Sequence, residues 1–364
     1  MNPLLDKCAR VMKRKLEALY GRVFFDLEGT LVAMASRPFE LHLELTNWCN
    51  ADCVFCPYHF QERPKQFMSD EVFHKAVGDF LNSGGGSVGL TPIVGEALID
   101  PKFLERVRHL RARPAIDRIF LTTNAILLDR VGVRNILTSG LTTVNISTAS
   151  FDAANYRRIY RSPAYERMKN NVTDLVTENA RLGSPVNISI GLRTDRPLAE
   201  VMRDRDFQPI LAHHPAVDFT WSFTSAGGRV TREILPSAMK LRVAPVKQEP
   251  CASLYNGPIV LPDGVVLACS CVAAMDAVDD LSIGNILDGN LLDIFGGTRM
   301  REIRAQFTAC GEPMNRTCSE CEMYRNLELY RTKEGQIRAD LNRKRRGGIR
   351  VRREDKADHI FQGG

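Results

Sequence analysis

The 364-residue sequence has no run of eighteen or more uncharged apolar residues, and its first twenty positions mix acids and bases with the apolar ones. Neither a membrane span nor a secretory leader is expected, and the protein reads as cytoplasmic, with no membrane partner. Internal repeats are absent, and low-complexity sequence is confined to a basic tail, which excludes solenoids and coiled arrays. The body also lacks an excess of charge of either sign. Of the 49 basic and 43 acidic residues, eleven and five fall between Arg331 and Gly364, leaving 38 of each before the tail. The net charge of +6 therefore belongs to that tail. Its Arg343-Lys344-Arg345-Arg346 run reads as a solvated end, and nucleic acid is not expected as a partner. At 44% apolar and 25% charged residues, the composition is that of a globular protein able to bury one large core and a smaller module.

What is present is cysteine, ten residues of it, in tight local groups. In a long chain without a leader this favours metal ligation over a disulfide framework. Residues 1–38 read as a helical N-terminal extension, with an amphipathic helix over Asn2 to Tyr20 and a short strand and turn over Arg22 to Val32. Between 39 and 236, strand-like runs (Leu41–Thr46, Val88–Val94, Arg118–Thr123, Thr143–Ser147, Val186–Leu192, Phe219–Phe223) alternate with helical patterns (Ser69–Asn82, Pro101–Arg111, Asp129–Thr138, Ala164–Arg181, Leu198–Ala212). Six such units imply a parallel sheet in an α/β fold, too few for a closed eight-fold barrel, so an open, partial (β/α)6 TIM-like barrel is expected. After a linker at Ser237–Glu249, residues 237–330 form a small cysteine-rich module. Its runs Pro258–Leu261 and Val265–Cys269 flank the hairpin signal Pro262-Asp263-Gly264. Residues 331–364 are the tail.

Directly after the first expected strand comes Thr46-Asn47-Trp48-Cys49-Asn50-Ala51-Asp52-Cys53-Val54-Phe55-Cys56-Pro57. Three thiolates within eight residues can wrap three corners of a cubane, whereas a fully ligated cluster takes four, so one iron stays open. A structural zinc site would want four ligands, usually as two C-x2-C pairs. The spacing resembles the radical S-adenosylmethionine (AdoMet) superfamily, whose signature is C-x3-C-x-aromatic-C with Phe55 as the aromatic. The resemblance implies a [4Fe-4S] cluster on Cys49, Cys53 and Cys56 that binds AdoMet at its open iron. Val94-Gly95-Glu96-Ala97 resembles the family's Gly-Gly-Glu-Pro segment, implying that Gly95 and Glu96 contact the AdoMet amino group, although the first glycine and the proline are missing here. By the same resemblance Asn124 and Ser147, at the ends of the third and fourth strands, face AdoMet, and Arg161 pairs with its carboxylate. For Arg161 a solvated helix face shared with Arg157 and Arg158 is an alternative.

Cys251, Gly264, Cys269 and the Cys318-x2-Cys321 pair resemble the twitch or SPASM type of C-terminal module, which implies one auxiliary [4Fe-4S] cluster with four ligands. Ile283-Gly284-Asn285-Ile286 and Leu291–Phe295 resemble the segment between such ligands. Cys271 stands two residues from Cys269 and shares its face on a strand. It could replace Cys269 as ligand, donate a hydrogen atom to substrate, or be a small buried residue. Cys8 and Cys310 read as structural.

The resemblance implies reductive cleavage of AdoMet to a 5'-deoxyadenosyl radical, hydrogen abstraction from substrate, and a reducing electron donor of flavodoxin or ferredoxin type as partner. The expected substrate is a small polar molecule, carbohydrate- or aminocyclitol-like, undergoing oxidation or epimerisation. Modification of a peptide is the alternative, favoured if residues 1–37 form a winged domain with an open strand edge. A non-catalytic iron-sulfur electron carrier is the reading from another class. Phe25-Asp26-Leu27-Glu28-Gly29-Thr30 also resembles the nucleophile motif of haloacid dehalogenase-type phosphatases, but Glu28 stands where that motif has aspartate, and the cysteine-bearing strand follows too soon.

Overall fold

The computed structural model describes residues 26–331, apart from 92, 248, 271–277 and 308–313. The expected helix at Asn2–Tyr20, Cys8, Cys271, Cys310 and the tail after Arg331 lie outside the described residues.

Alternation along the strands sets the layering. In β4 (Thr143–Thr148), Val144, Ile146 and Thr148 are fully buried, while Asn145 and Ser147 are half-buried. Thr148 Oγ1 contacts Met168 Sδ (3.8 Å) of helix Tyr165–Arg181, so the Val144 face meets helices and the Asn145/Ser147 face is the inner one. The ladders carry this phase outward. Thr122 of β3 (Ile116–Thr123) and Ser189 of β5 (Asn187–Arg193) lie opposite Asn145. Gly191 lies opposite Ser147, and Asp218 of β6 (Ala216–Thr220) opposite Gly191. With β1 (Glu40–Leu43) and β2 (Gly86–Gly89), these make six parallel strands linked by helices, the expected partial barrel, and its inner wall is polar apart from Phe120, which meets His42 edge-on.

The sheet does not stop at β1. Strands β9 (Ile259–Val260), β10 (Val265–Leu267) and β11 (Ser282–Asn285) continue it in the order β11-β10-β9-β1 through β6, with β9 parallel to β1. Asn256 O accepts from the amides of Phe39 (3.2 Å) and Glu40 (3.3 Å), and Pro258 O from that of His42 (3.0 Å). At this junction only glycine fits: a Cβ on Gly257 would lie 1.6 Å from Glu40 O. The expected hairpin is present, with Gly264 at φ +87° turning β9 into β10. The short β7 (Ser222–Phe223) and β8 (Lys240–Leu241) pair separately.

Local chemistry explains where elements depart from expectation. Helix Asp70–Asn82 starts where Ser69 Oγ accepts from Val72 N (3.1 Å). The single helix expected over Asp129–Thr138 is broken into Leu128–Val131 and Val133–Thr138 by Gly132 at φ +91°. Leu198–Ala212 divides into Leu198–Val201 and Gln208–Leu211 around a 3-10 turn. A helix outside the expected runs, Ala153–Tyr160, is capped by Asp152 accepting from Asn155 N (2.7 Å) and carries Arg157 and Arg158, both exposed, as the alternative reading of that segment had it. Within Arg22–Val32 the described part is helix, Leu27–Ala35, rather than strand. Asp26 is its cap, accepting from Gly29 N (2.7 Å), so the aspartate of the phosphatase-like motif is engaged in starting a helix. Among the described residues no helix is long and apolar enough to cross a membrane.

Candidate active site

The cysteine loop leaves β1 and is braced on both flanks. Tyr160 O accepts from Asp52 N (3.3 Å), Ile159 O from Val54 N (2.9 Å), and Tyr58 Oη from Cys49 N (2.9 Å). On the other side Asn47 donates to Pro64 O (2.9 Å) and accepts from Gln66 N (2.8 Å). Phe55 is wedged between two rings, edge-on to Tyr160 (centroids 5.6 Å) and stacked on Phe223 (5.0 Å, 18°). The three thiols thus sit on a loop braced by the protein's own contacts.

Their protonation tests whether the loop suits a cluster. Burial pushes the Cys49 thiol up to about 12 and Cys56 to about 11, and raises Cys53 well above its ordinary value. The neighbouring thiols raise Cys53 and Cys49 further, Glu96 adds to Cys49, and Asp52 raises both Cys53 and Cys56. Arg193 works in the opposite direction on Cys53 and Cys56. Such thiols stay protonated as bare sulfur and can ionise when a cationic centre takes their charge, as iron does. Three thiols on one loop are the donor set that a [4Fe-4S] cubane takes at three of its corners, so the residues present fit such a cluster.

The positions expected to face AdoMet all converge on this loop. Gly95, at φ +133°, packs so closely that a Cβ would stand 2.7 Å from Thr46 O and 3.0 Å from Trp48 O. The next amide, Glu96 N, donates to Trp48 O (2.7 Å). The Glu96 side chain is buried, accepting from Thr123 Oγ1 (2.8 Å), Leu98 N (3.2 Å) and Asn124 N (2.8 Å). Despite these donors, burial raises its carboxyl to about 7. Asn124 Nδ2 donates to Asn50 Oδ1 (2.7 Å), tying the end of β3 to the cysteine loop. Ser147 Oγ shares a hydrogen bond with Tyr160 Oη (2.7 Å). Arg161, at φ +47°, reaches Asp52 at 3.4 Å, with both side chains nearly half exposed.

Three features were not anticipated. Glu44 on the β1 exit is buried and clasped bidentately by Arg63 (2.6 and 3.1 Å), with the Ile93 amide at 3.2 Å. Burial is the main influence on this carboxyl and raises it, the guanidinium opposing. Arg193 at the end of β5 is the cation that acts on two of the thiols. Asp218, one strand over, is raised by burial and pulled back by Arg193. A signal existed for Glu44, a lone charge in the apolar alternation of Leu41-His42-Leu43-Glu44-Leu45. For Arg193 it was a charged residue closing a strand.

The second group of cysteines gathers around the extended sheet. Cys269 follows β10, Cys251 precedes a 3-10 turn at Ala252–Tyr255, and Cys318 and Cys321 flank the end of a short helix, Arg316–Ser319. Burial pushes Cys318 to about 11, and the charges of Cys321, Cys251 and Asp280 push the same way while Asn315 opposes. All seven described cysteines are half-buried. Cys251, Cys269, Cys318 and Cys321 could hold a second cluster.

Residues 43–205 match the family model described as the Radical SAM superfamily, and residues 251–322 match that of an iron-sulfur cluster-binding domain, SPASM. The GTP 3',8-cyclase of Chlorobaculum tepidum is 29% identical over 136 residues, 37% of this chain and 40% of that protein. That of Synechococcus elongatus is 34% identical over 131 residues, 35% and 38% of the two. The match therefore spans about two fifths of these relatives' length. Two solved structures share the fold. Streptococcus suis SuiB bound to precursor peptide SuiA has a TM-score of 0.56 at 13% identity, covering 82% of this chain and 74% of that one. The structure of anSMEcpe with bound AdoMet has a TM-score of 0.52 at 15% identity, covering 86% and 100%.

Proposed function

We infer the reaction from one premise: the chain belongs to the radical AdoMet superfamily and carries a SPASM-type iron-sulfur cluster-binding domain. It is a radical AdoMet enzyme whose cofactors are a [4Fe-4S] cluster, AdoMet and auxiliary iron-sulfur. When bound, these supply one-electron reductive cleavage of AdoMet and hydrogen abstraction from the substrate. In our reading Cys49, Cys53 and Cys56 hold the first cluster, and Cys251, Cys269, Cys318 and Cys321 the auxiliary one.

The protein's own part is placement. The close approach at Gly95 and the Glu96 amide bond to Trp48 O (2.7 Å) tie this segment to the thiol loop, and the Glu96 carboxyl would take the AdoMet ammonium. Ser147, held by Tyr160, faces the same inner wall. Phe55, packed between Tyr160 and Phe223, keeps water from the thiols on that side.

The observation that carries the substrate reading is the polar inner wall. Asn145 Oδ1 accepts from Ser189 Oγ (3.1 Å), and Asp218 and Arg193 stand one and two layers nearer the thiol loop. A wall of amide, hydroxyl, carboxylate and guanidinium suits a small polyhydroxylated or amino-bearing molecule, oxidised or epimerised at a carbon that bears such a group. The GTP 3',8-cyclase relatives make a purine nucleotide the second reading, and the guanidinium of Arg193 could meet its phosphates.

The test is anaerobic turnover of the reconstituted chain with dithionite and AdoMet. 5'-Deoxyadenosine should form, and a deuterated aminocyclitol should pass deuterium into it. Alanine at Cys49, Cys53 and Cys56 together should abolish cleavage while auxiliary iron remains. Undiminished cleavage in that variant would refute the ligand assignment. Deuterium transfer from labelled GTP and none from the aminocyclitol would replace the substrate reading with the second one.

A further inference from the structure

Just after the barrel, three consecutive residues of the chain make contacts toward the two cysteine groups. Phe223, in β7, stacks on Phe55 of the cysteine loop at 5.0 Å. The next two residues hold the other site. Thr224 Oγ1 donates to Glu322 Oε2 (2.6 Å), and Ser225 donates to Glu322 Oε1 through its amide (3.2 Å) and its hydroxyl. Glu322 follows Cys321 directly, and the amide after it, Met323 N, donates to Cys321 Sγ (3.3 Å). Arg242 reinforces the same crossing, its amide donating to Phe223 O (2.8 Å) and its guanidinium reaching Met323 Sδ (2.7 Å). Two residues of extended chain span roughly 7 Å, so the ring that touches the first thiol loop and the clamp beside the second cannot drift apart.

We propose that Glu322 is a positioning residue. By clamping Thr224 and Ser225 it holds the auxiliary cluster-binding segment at one separation from the Cys49–Cys56 loop, so that a single electron can pass between the two clusters. One cluster is oxidised and the other reduced by one electron, and no atom moves. A carboxylate suits the role because it accepts from three donors at once; glutamine retains most of this if the Thr224 hydroxyl turns to accept, and alanine retains none. The inference rests on the two-cluster reading above.

The test uses the full chain, reconstituted without oxygen and reduced with dithionite. Three quantities are measured: iron and sulfide per chain, 5'-deoxyadenosine formed from AdoMet alone, and the magnetic broadening of each cluster's resonance by the other. Glu322→Ala is expected to keep its iron and its AdoMet cleavage but lose the broadening, and Glu322→Gln to regain it. Unchanged broadening in Glu322→Ala at full iron would overturn the inference. Should that variant lose iron, the paired change Thr224→Val with Ser225→Ala cuts the same clamp away from the ligands. Lost broadening at full iron there supports the inference; unchanged broadening, or lost iron in both variants, overturns it. About four irons rather than about eight in the unsubstituted chain would sink the two-cluster reading and this inference with it, whereas eight irons and an unaltered spectrum would sink the inference alone.

Discussion

Gly95→Ala is the sharpest perturbation of the thiol loop that touches no ligand. The residue sits at φ +133°, a region that L side chains rarely occupy, which costs about 1–3 kcal/mol. The new methyl would also stand 2.7 Å from Thr46 O and 3.0 Å from Trp48 O, backbone atoms that cannot swing aside, and overpacking of this kind adds about 1–3 kcal/mol. A total of about 4 kcal/mol lowers the melting midpoint by about 8–16 °C at about 2–4 °C per kcal/mol. The strain is relieved by displacing Trp48, which breaks the Glu96 N to Trp48 O bond and moves the neighbouring Cys49, so iron incorporation should fall along with the midpoint. Gly78→Ala is the control. It lies in helix Asp70–Asn82 with no heavy atom within 4 Å of the added carbon, and should stabilise by about 1 kcal/mol. Thermal melts and iron assays on the three proteins decide the matter: a Gly95→Ala protein with unaltered melting and iron would refute the close-approach reasoning.

Glu96 predicts a pH dependence for the chain without AdoMet. Its folded-state value of about 7 lies above the ordinary 4.5, so the folded form holds the proton more tightly. The stability this brings is fully present below pH 4.5 and is lost as pH rises through 7, about 3 kcal/mol over the window. Glu96→Gln should flatten that part of the profile in denaturant melts between pH 4.5 and 8; parallel curves for the two proteins would contradict it. Arg63→Met strips a buried carboxylate of its partner and should cost about 3–5 kcal/mol at neutral pH. Because Glu44 is already raised and rises further without Arg63, the loss should shrink on acidification, and adding Glu44→Gln should recover much of it in the same melts.

The parts of this site that were legible in the sequence are those whose geometry is local. Cys49, Cys53 and Cys56 lie within eight residues and could be read from their spacing, whereas Glu96, Asn124 and Ser147 were expected only from the family resemblance of the short segments that carry them. Asp218 and Arg193 could not be placed in that way, because facing the inner wall depends on the register between β4, β5 and β6, which helices separate along the chain. The break at Gly132 was readable in principle as a glycine inside a helical pattern, but apolar spacing continues through it and masks the interruption. The helix at Leu27–Ala35 was hidden for the opposite reason. The sequence before it, Phe24-Phe25, reads as strand, and only Asp26 as a cap with Gly29 three residues on marks the helix. Least visible of all was the pairing of β9 with β1, a two-residue strand meeting a partner more than two hundred positions earlier.

That pairing means the two halves of this protein cannot be separated at the linker without penalty. Cutting the chain after Pro236 would strip β1 of its neighbour and leave a row of backbone donors and acceptors bare along the first strand, a ready template for another chain to add to. An isolated barrel should therefore self-associate, and attempts to transplant the iron-binding module onto a different scaffold would need to supply a new rail for β9 to lie against.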